Sequence, residues 1–585
     1  MPRNSAKERT EMTIIYKISI PEPHTHYVKV SLELERVANA KNMTFFMPAW
    51  SPGSYLVREY SRHIRGLRAS SDKGARLFVK QTDKNHYFVD FDHPEFKSDC
   101  KNFVIDYEIY CNELTVRTAH VDTTHAFLHG PAVFLGVSDV EMKDLEVHLD
   151  FPPLWSHVST TLKDISKQRE KFIYSAKNFD ELLDSPIEIG CQETDGFMFD
   201  RKEHWWIYWG ALPPMKWNLK EDIKKIVETV AAVTGETPYE KYMFMAHFAP
   251  GLYGGLEHAD STVLAYDPFK MVERKGYLDW LSLVAHEYFH VWNVKRIRPK
   301  ALGPFDYSKE NYTNLLWLSE GMTVFMDELL VARSGLSTLS EYLEQQKNNI
   351  NRMLATPGRK FHSLEESSFN AWIKLYRPDE NSVNSTVSYY LKGGLVFFVL
   401  NAWMAKEGKS VDDFIKALWS DYKARPQTGL EDEEVFKILE TVASKKIAQN
   451  FSHLVSTTDE LPLDEAAKLC GLEIIYEQSP KPWTGMDVRY DGGRVIVDKV
   501  YLDGPAMKEG LNVGDELISM GGLRVLKGQW EKNSEWLNSG THYETLVARH
   551  GRLHQLSLTP GSSPRAVKEI KVLDETQAKL SLGLK

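Results

Sequence analysis

The chain has 585 residues, of which 42% are hydrophobic and 26% charged, and a formal net charge of -10. That length exceeds what one hydrophobic core supports and predicts three or four domains, while the acidic balance argues against a general nucleic-acid binder, because phosphate attraction needs a basic surface. No run reaches the roughly 18 consecutive apolar residues of a membrane helix, so no membrane association is expected.

Met1 to Glu11 is charged and leads straight into a strand-like run, so no secretory leader is expected. The four cysteines, Cys100, Cys111, Cys191 and Cys470, show neither metal spacing nor a disulfide framework, which fits reduced thiols in a cytoplasmic protein. Thr13 to Ile20, Tyr27 to Leu34 and Asn102 to Tyr110 alternate apolar and polar with period two. Turn signals at Ser51-Pro52-Gly53-Ser54 and Ser71-Asp72-Lys73-Gly74 separate such runs. Together they predict a β-sandwich-like N-terminal domain over residues 12–200. Its many histidines and aromatics are scattered without ligand spacing and are assigned to packing.

After loop-rich passages at Asp184-Ser185-Pro186 and Pro213-Pro214, the pattern predicts a helix over Leu219 to Ala232, a strand over Tyr242 to Phe248, and a second short stretch, Gly254-Gly255-Leu256-Glu257-His258. From Tyr277 to about Asn450 apolar residues recur every three or four positions, so residues 201–460 are expected to begin as α+β and become mainly α. Thr356 to Thr386, rich in Pro, Gly, Asn and Ser, reads as a long loop, and Phe451 to Leu469 as a polar connector. A new β pattern begins at Leu472, and residues 563–585 form a tail of mixed charged and apolar residues, with one docked helix expected.

The chemistry concentrates between Ser282 and Glu320. His286 and His290 are four residues apart, on one face of a helix, where both imidazoles can reach one ion. Glu287 is offset between them and is placed to take a proton from an attacking water. A catalytic zinc needs a third ligand and an open position, and Glu320, inside the apolar segment Leu315 to Met326, is the best candidate. One Zn2+ per chain is expected there. An oxyanion formed by attack on a carbonyl needs a further donor, for which a neutral tyrosine hydroxyl is suited. Tyr390 and its neighbour Tyr389 both qualify, and either could equally be a packing aromatic. Gly254 and Gly255 would let a substrate backbone lie close to a strand, and Glu257 could bind a positively charged amine; alone, a Gly-Gly turn beside a glutamate is a common pattern.

Several of these stretches resemble one family. His286-Glu287-x-x-His290-x-Trp292-Asn293, Trp317-Leu318-Ser319-Glu320-Gly321, Gly254-Gly255-Leu256-Glu257-His258 and Ser388-Tyr389-Tyr390-x-Lys392-Gly393 look like the glycyl aminopeptidase family of gluzincin zinc metallopeptidases. The order strand, Gly504-Pro505-Ala506, short helix, Gly510-Leu511, Gly514-Asp515 and strand resembles a C-terminal PDZ domain of the protease-associated type over residues 470–562. The resemblance implies a multidomain α+β protein with a mainly α, thermolysin-like catalytic domain that removes N-terminal residues, preferably small ones such as Gly and Ala, from peptides with free N-termini. In related alanyl and leucyl aminopeptidases a Gly-x-Met-Glu-Asn strand binds the substrate's N-terminus, and residues 254–258 look like its counterpart, with Leu256 for Met and His258 for Asn. A Tyr-x-Lys-Gly in those relatives holds the oxyanion tyrosine and falls on Tyr390. A peptide ligand of the PDZ groove is a second expected partner. The rival readings are an endopeptidase whose PDZ domain recruits substrates, and an inactive PDZ scaffold. Lys295, Arg296 and Arg298, which also belong to the resembling stretch, are expected to be solvated or paired with nearby acids.

Overall fold

Strands Tyr27–Glu35 and Asn102–Tyr110 pair antiparallel with Tyr27 opposite Tyr110, and their alternation sends Val28, Val30, Leu32 and Leu34 with Phe103, Ile105, Tyr107 and Ile109 into one core. A computed structural model describes residues 14–138, 140–168, 171–479, 481–528, 530 and 536–585; the charged start Met1 to Glu11 lies outside the described residues. Contacts divide the chain into a first unit, residues up to 296 with 303–311, and a second, residues 297–302 with 312–585.

In the first unit the two strands above lie inside an 11-stranded sheet. A four-stranded sheet orders His157–Ser159, Ile187–Gly190, His125–Leu128 and His120–Val121. Both sheets supply side chains to one apolar cluster, Leu128, Ile187 and Ile189 joining Val30 and Ile105. A third sheet orders Glu193–Phe199, Lys202–Gly210, Lys241–Phe248, Ser261–Tyr266 and Tyr253–Glu257, the last being an edge among the described residues. Lys202–Gly210 and Lys241–Phe248 run parallel, which requires a crossover, and the helix Leu219–Thr234 supplies it. Asn218 caps that helix by accepting from the Glu221 N–H, and Gly235, at φ 81°, ends it. The helix Arg274–Phe289 follows the last strand of this sheet in sequence.

The second unit is built around Leu391–Lys406, a helix buried on nearly every side, with Met322–Arg333, Leu339–Leu354 and Lys445–Ser456 packed against it. Two expectations are corrected here. The expected long loop contains the short helices Pro357–Lys360, Leu364–Phe369 and Ser382–Ser385, the second started by a reciprocal cap between Ser363 and Glu366. The expected connector Phe451 to Leu469 holds the end of one helix and the whole of another, Leu463–Leu469, because Ser444 caps Lys445–Ser456 and the stripe Ile447, Phe451, Leu454 and Val455 is buried beneath a polar majority. Beyond it, a six-stranded sheet over residues 486–558 has its own apolar core, including Val495, Val497, Leu517 and Val547. Strands Leu472–Gln478 and Arg565–Val572, on either side of it in sequence, pair with each other, and the chain finishes in the helix Glu575–Leu582. The tail is therefore a strand as well as the expected helix. No helix among the described residues is long and apolar enough to cross a membrane.

Candidate active site

In the first unit the helix Arg274–Phe289 carries His286 and Glu287 on its last turn and His290 as its C-cap. The rings of His286 and His290 are 4.7 Å apart and nearly perpendicular. Nδ1 of His290 lies 2.8 Å from the Asn293 carbonyl oxygen, which only accepts, so Nδ1 carries the hydrogen and Nε2 keeps its lone pair outward. The turn that brings Asn293 back continues through Val294 at φ 103°, a conformation that costs a β-branched residue strain. Two neighbouring imidazoles, one already oriented by a carbonyl, suit a borderline-soft cation such as zinc.

Glu257, Glu287 and His290 are buried, with one donor atom of each within 4.8 Å of the others. The close approach depends on two glycines. A Cβ on Gly255 would stand 2.0 Å from Oε1 of Glu287, and one on Gly53 would stand 2.4 Å from Oε1 of Glu257. Oε1 of Glu257 is buried without a hydrogen-bond partner among the described residues. A buried carboxylate oxygen left this way is costly until a cation or donor meets it.

Around these residues the structure shows what sequence reasoning missed. Arg117, far away in the chain, donates to the Gly255 carbonyl at 3.0 Å and fixes the strand that carries Glu257; no local pattern announces it. His258 and Lys295 both bind Oδ1 of Asp184, at 3.0 and 2.7 Å. Burial alone would raise the Asp184 carboxyl, but Lys295 and His258 hold it well below the usual carboxylate range. Arg296 donates to the carbonyls of Ala259, Val291 and Pro238. Arg296 also lies 3.4 Å from Asp260, so Lys295 and Arg296 both pair with acids and brace the fold.

In the second unit Glu320 is buried on a single π-helical turn, Trp317–Gly321, that opens the helix Met322–Arg333. The wider turn leaves carbonyls to be satisfied otherwise, and the Thr323 hydroxyl donates to the Ser319 carbonyl at 2.7 Å. Gly321 touches Gly393: a Cβ on Gly321 would lie 2.7 Å from the Cα of Gly393. This contact holds the Glu320 turn against the start of Leu391–Lys406, where Tyr390 sits. The Tyr390 hydroxyl is 3.2 Å from that of Tyr376, and burial first, then the charge of Glu320, raises its pKa well above the ordinary tyrosine value. It stays a neutral donor. Tyr389, stacked on Tyr390 at 4.8 Å, is fully buried, whereas Tyr390 is half-buried.

Residues 15–191 match the peptidase M61 N-terminal domain and residues 279–396 match the M61 glycyl aminopeptidase domain. Among solved structures, an aminopeptidase N family protein from Idiomarina loihiensis is 28% identical, with 97% of this chain and 100% of that one covered at a TM-score of 0.89. An M1 zinc metallopeptidase from Deinococcus radiodurans is 14% identical over 77% of this chain and 96% of that one, at a TM-score of 0.49. A mutant two-domain M1 zinc metallopeptidase bound to L-arginine is 13% identical over the same shares, at 0.50. No curated protein matches the chain.

Proposed function

The chain carries the N-terminal and catalytic domains of the M61 glycyl aminopeptidase family, and from that premise we propose that it is a zinc aminopeptidase releasing small N-terminal residues, Gly and Ala foremost, from peptides. His286, His290 and Glu320 are the proposed ligands of one zinc at this site. When bound, the zinc supplies a Lewis acid that polarises the scissile carbonyl. Glu287 takes a proton from the attacking water and passes it to the leaving amine. Tyr390, kept neutral, donates to the developing oxyanion. Glu257 receives the substrate's α-ammonium group, and the strand edge at Gly254 and Gly255 is the side along which the first residues of the peptide lie.

The observation that carries the exopeptidase part is the buried Oε1 of Glu257, unpaired in a group with Glu287 and His290. A cation delivered there is a chain terminus, and its position beside the proton-transferring glutamate limits how many residues fit between them. Acetylating the N-terminus of a good substrate peptide should abolish cleavage; hydrolysis that survives the blocking group supports the endopeptidase reading instead. A panel of aminoacyl reporters should rank Gly and Ala above Leu and Phe. Glu287→Gln should lower kcat by roughly 10²–10⁴-fold with KM little changed, because it removes the proton acceptor and leaves the volume.

We place the N-terminal domain at 12–200, the peptidase domain at 201–460, a PDZ-type domain at 470–562 and the tail at 563–585, in a cytoplasmic protein. Support for the PDZ reading is the order of strand Arg494–Val500, helix Pro505–Lys508 and strand Glu516–Met520, with tight glycine turns at Gly510 and Gly514 between them.

A further inference from the structure

The N-terminal histidines assigned to packing are not all scattered. His120, Asp122 and His125 occupy one tight hairpin, in which His120–Val121 pairs with His125–Leu128. The Asp122 carboxylate is split between two tasks. Its Oδ1 accepts from the N–H of Thr124 at 2.7 Å, the Thr124 hydroxyl at 2.6 Å and the His125 N–H at 3.2 Å, which fixes the turn. Its Oδ2 lies 3.5 Å from Nε2 of His120.

His125 is fully buried, stacked flat on Trp209 at 4.0 Å, and its Nδ1 donates to Glu188 at 2.6 Å. The other oxygen of Glu188 accepts from His247 Nε2 at 2.9 Å. Glu188 thus sets the orientation of His125 from behind, as a carboxylate does for a metal-bound histidine. What remains is an excess of unused nitrogen. Nε2 of His125 and Nδ1 of His120 are buried without a hydrogen-bond partner among the described residues, and Nε2 of His120 has the long 3.5 Å approach of Asp122 in place of a normal hydrogen bond. Buried polar atoms are rarely left so, and here they cluster. Donor atoms of His120, Asp122 and His125 all lie within 4.8 Å of one another. Two ligands about 2.0–2.1 Å from one tetrahedral ion stand roughly 3.3 Å apart, close to the His120–Asp122 separation.

We propose that His120, Asp122 and His125 bind a second divalent cation, of the zinc class, that staples this hairpin, with Glu188 as the residue that positions His125. Two nitrogens and one carboxylate oxygen favour zinc or a neighbouring transition metal over calcium or magnesium, which prefer all-oxygen shells. Asp122 is 30% exposed in its side chain, so the ion has a route in.

The test is a zinc titration of chelator-stripped, full-length protein. The parent should bind one more equivalent than Asp122→Asn, whose amide oxygen can still accept the turn hydrogen bonds, and one more than His120→Gln. Equal stoichiometry in parent and both variants overturns the proposal. The catalytic metal is counted separately with His286→Ala. In that protein zinc should still raise the melting temperature by several degrees, because binding only the folded state stabilises it. A melting temperature insensitive to zinc in the His286→Ala protein also overturns the proposal, whatever happens at the catalytic site. Loss of one equivalent in Asp122→Asn with none lost in His286→Ala would leave this site standing and remove the catalytic one.

Discussion

Gly255 has no room for a side chain, since the nearest atom to its would-be Cβ is the Glu287 carboxylate oxygen at 2.0 Å. Gly255→Ala should therefore push Glu287 aside and lower kcat by an order of magnitude or more, with the fold intact by circular dichroism; unaltered kcat would mean that Glu287 does not act from this position. Asp184 gives a prediction about pH. Its folded-state pKa is depressed by Lys295 and His258 against the opposing effect of burial. A depressed carboxyl contributes its stability in full above the unfolded value, near 4, and loses it as pH falls below that value toward the folded one. Asp184→Asn should thus cost about 2 kcal/mol at pH 7, less than a fully buried pair because the Asp184 side chain is 24% exposed. The gap in melting temperature between parent and variant should narrow steadily below about pH 4; a gap equally wide at pH 3 and pH 7 would assign it to something other than that charge. At this scale the helical pair His286 and His290 was legible because four-residue spacing fixes a shared face. Arg117 was not, because its bond to Gly255 spans 138 residues. The hairpin histidines read as packing residues because turn geometry, unlike a helix, gives ligands no fixed spacing.

At the scale of elements, two glycines decide how closely helical segments meet. The Glu320 turn and the start of Leu391–Lys406 cross at Gly321 and Gly393, where a Cβ on Gly393 would come within 2.8 Å of the Gly321 Cα. Backbone cannot rotate away as a side chain can, so Gly393→Ala should cost about 1–3 kcal/mol. Glu320 and Tyr390 lie on the two displaced segments, so activity should fall further than stability does: kcat measured well below the melting temperature should still be reduced, and an unstable but fully active variant would separate the crossing from the site. The sequence pattern showed Gly321 and Gly393 only as parts of motifs, and their meeting is a tertiary fact. It also hid the second half of the helix Lys445–Ser456, from Phe451 on, since a narrow apolar stripe in a polar sequence resembles a loop until the cap at Ser444 is weighed with it. The strands of the N-terminal domain were easier, because period two with one buried face leaves no other assignment.

At the scale of the molecule, the arrangement of the C-terminal strands determines how the six-stranded sheet can be removed. Leu472–Gln478 pairs with Arg565–Val572 so that Gln478 faces Arg565, and the sheet's residues run out from one end of this ribbon and back into it. The ribbon and the last helix belong to the helical part of the second unit. Asn351 bonds both the N–H and the carbonyl of Val567, Arg333 donates to the Leu582 carbonyl at 2.8 Å, Asn401 donates to that of Ser581 at 2.8 Å, and Leu472 and Leu582 are fully buried. Truncation at Leu472 would therefore strip core from the helices along with the sheet. Excising 480–563 and joining Gln478-Ser479 to Pro564-Arg565 through a short glycine-containing loop closes a gap that is already the width of a strand pair. The excised protein should keep a melting temperature within a few degrees of the parent, its main loss being the two hydrogen bonds of Asn384 to Val500 and Leu502. Truncation at Leu472 should unfold the helices at a much lower temperature. With the excised protein, turnover of a dipeptide should match the parent while long peptides lose kcat/KM if the sheet recruits chain ends, as the PDZ reading holds. Equal loss on both substrates would instead make the sheet a support for the catalytic residues.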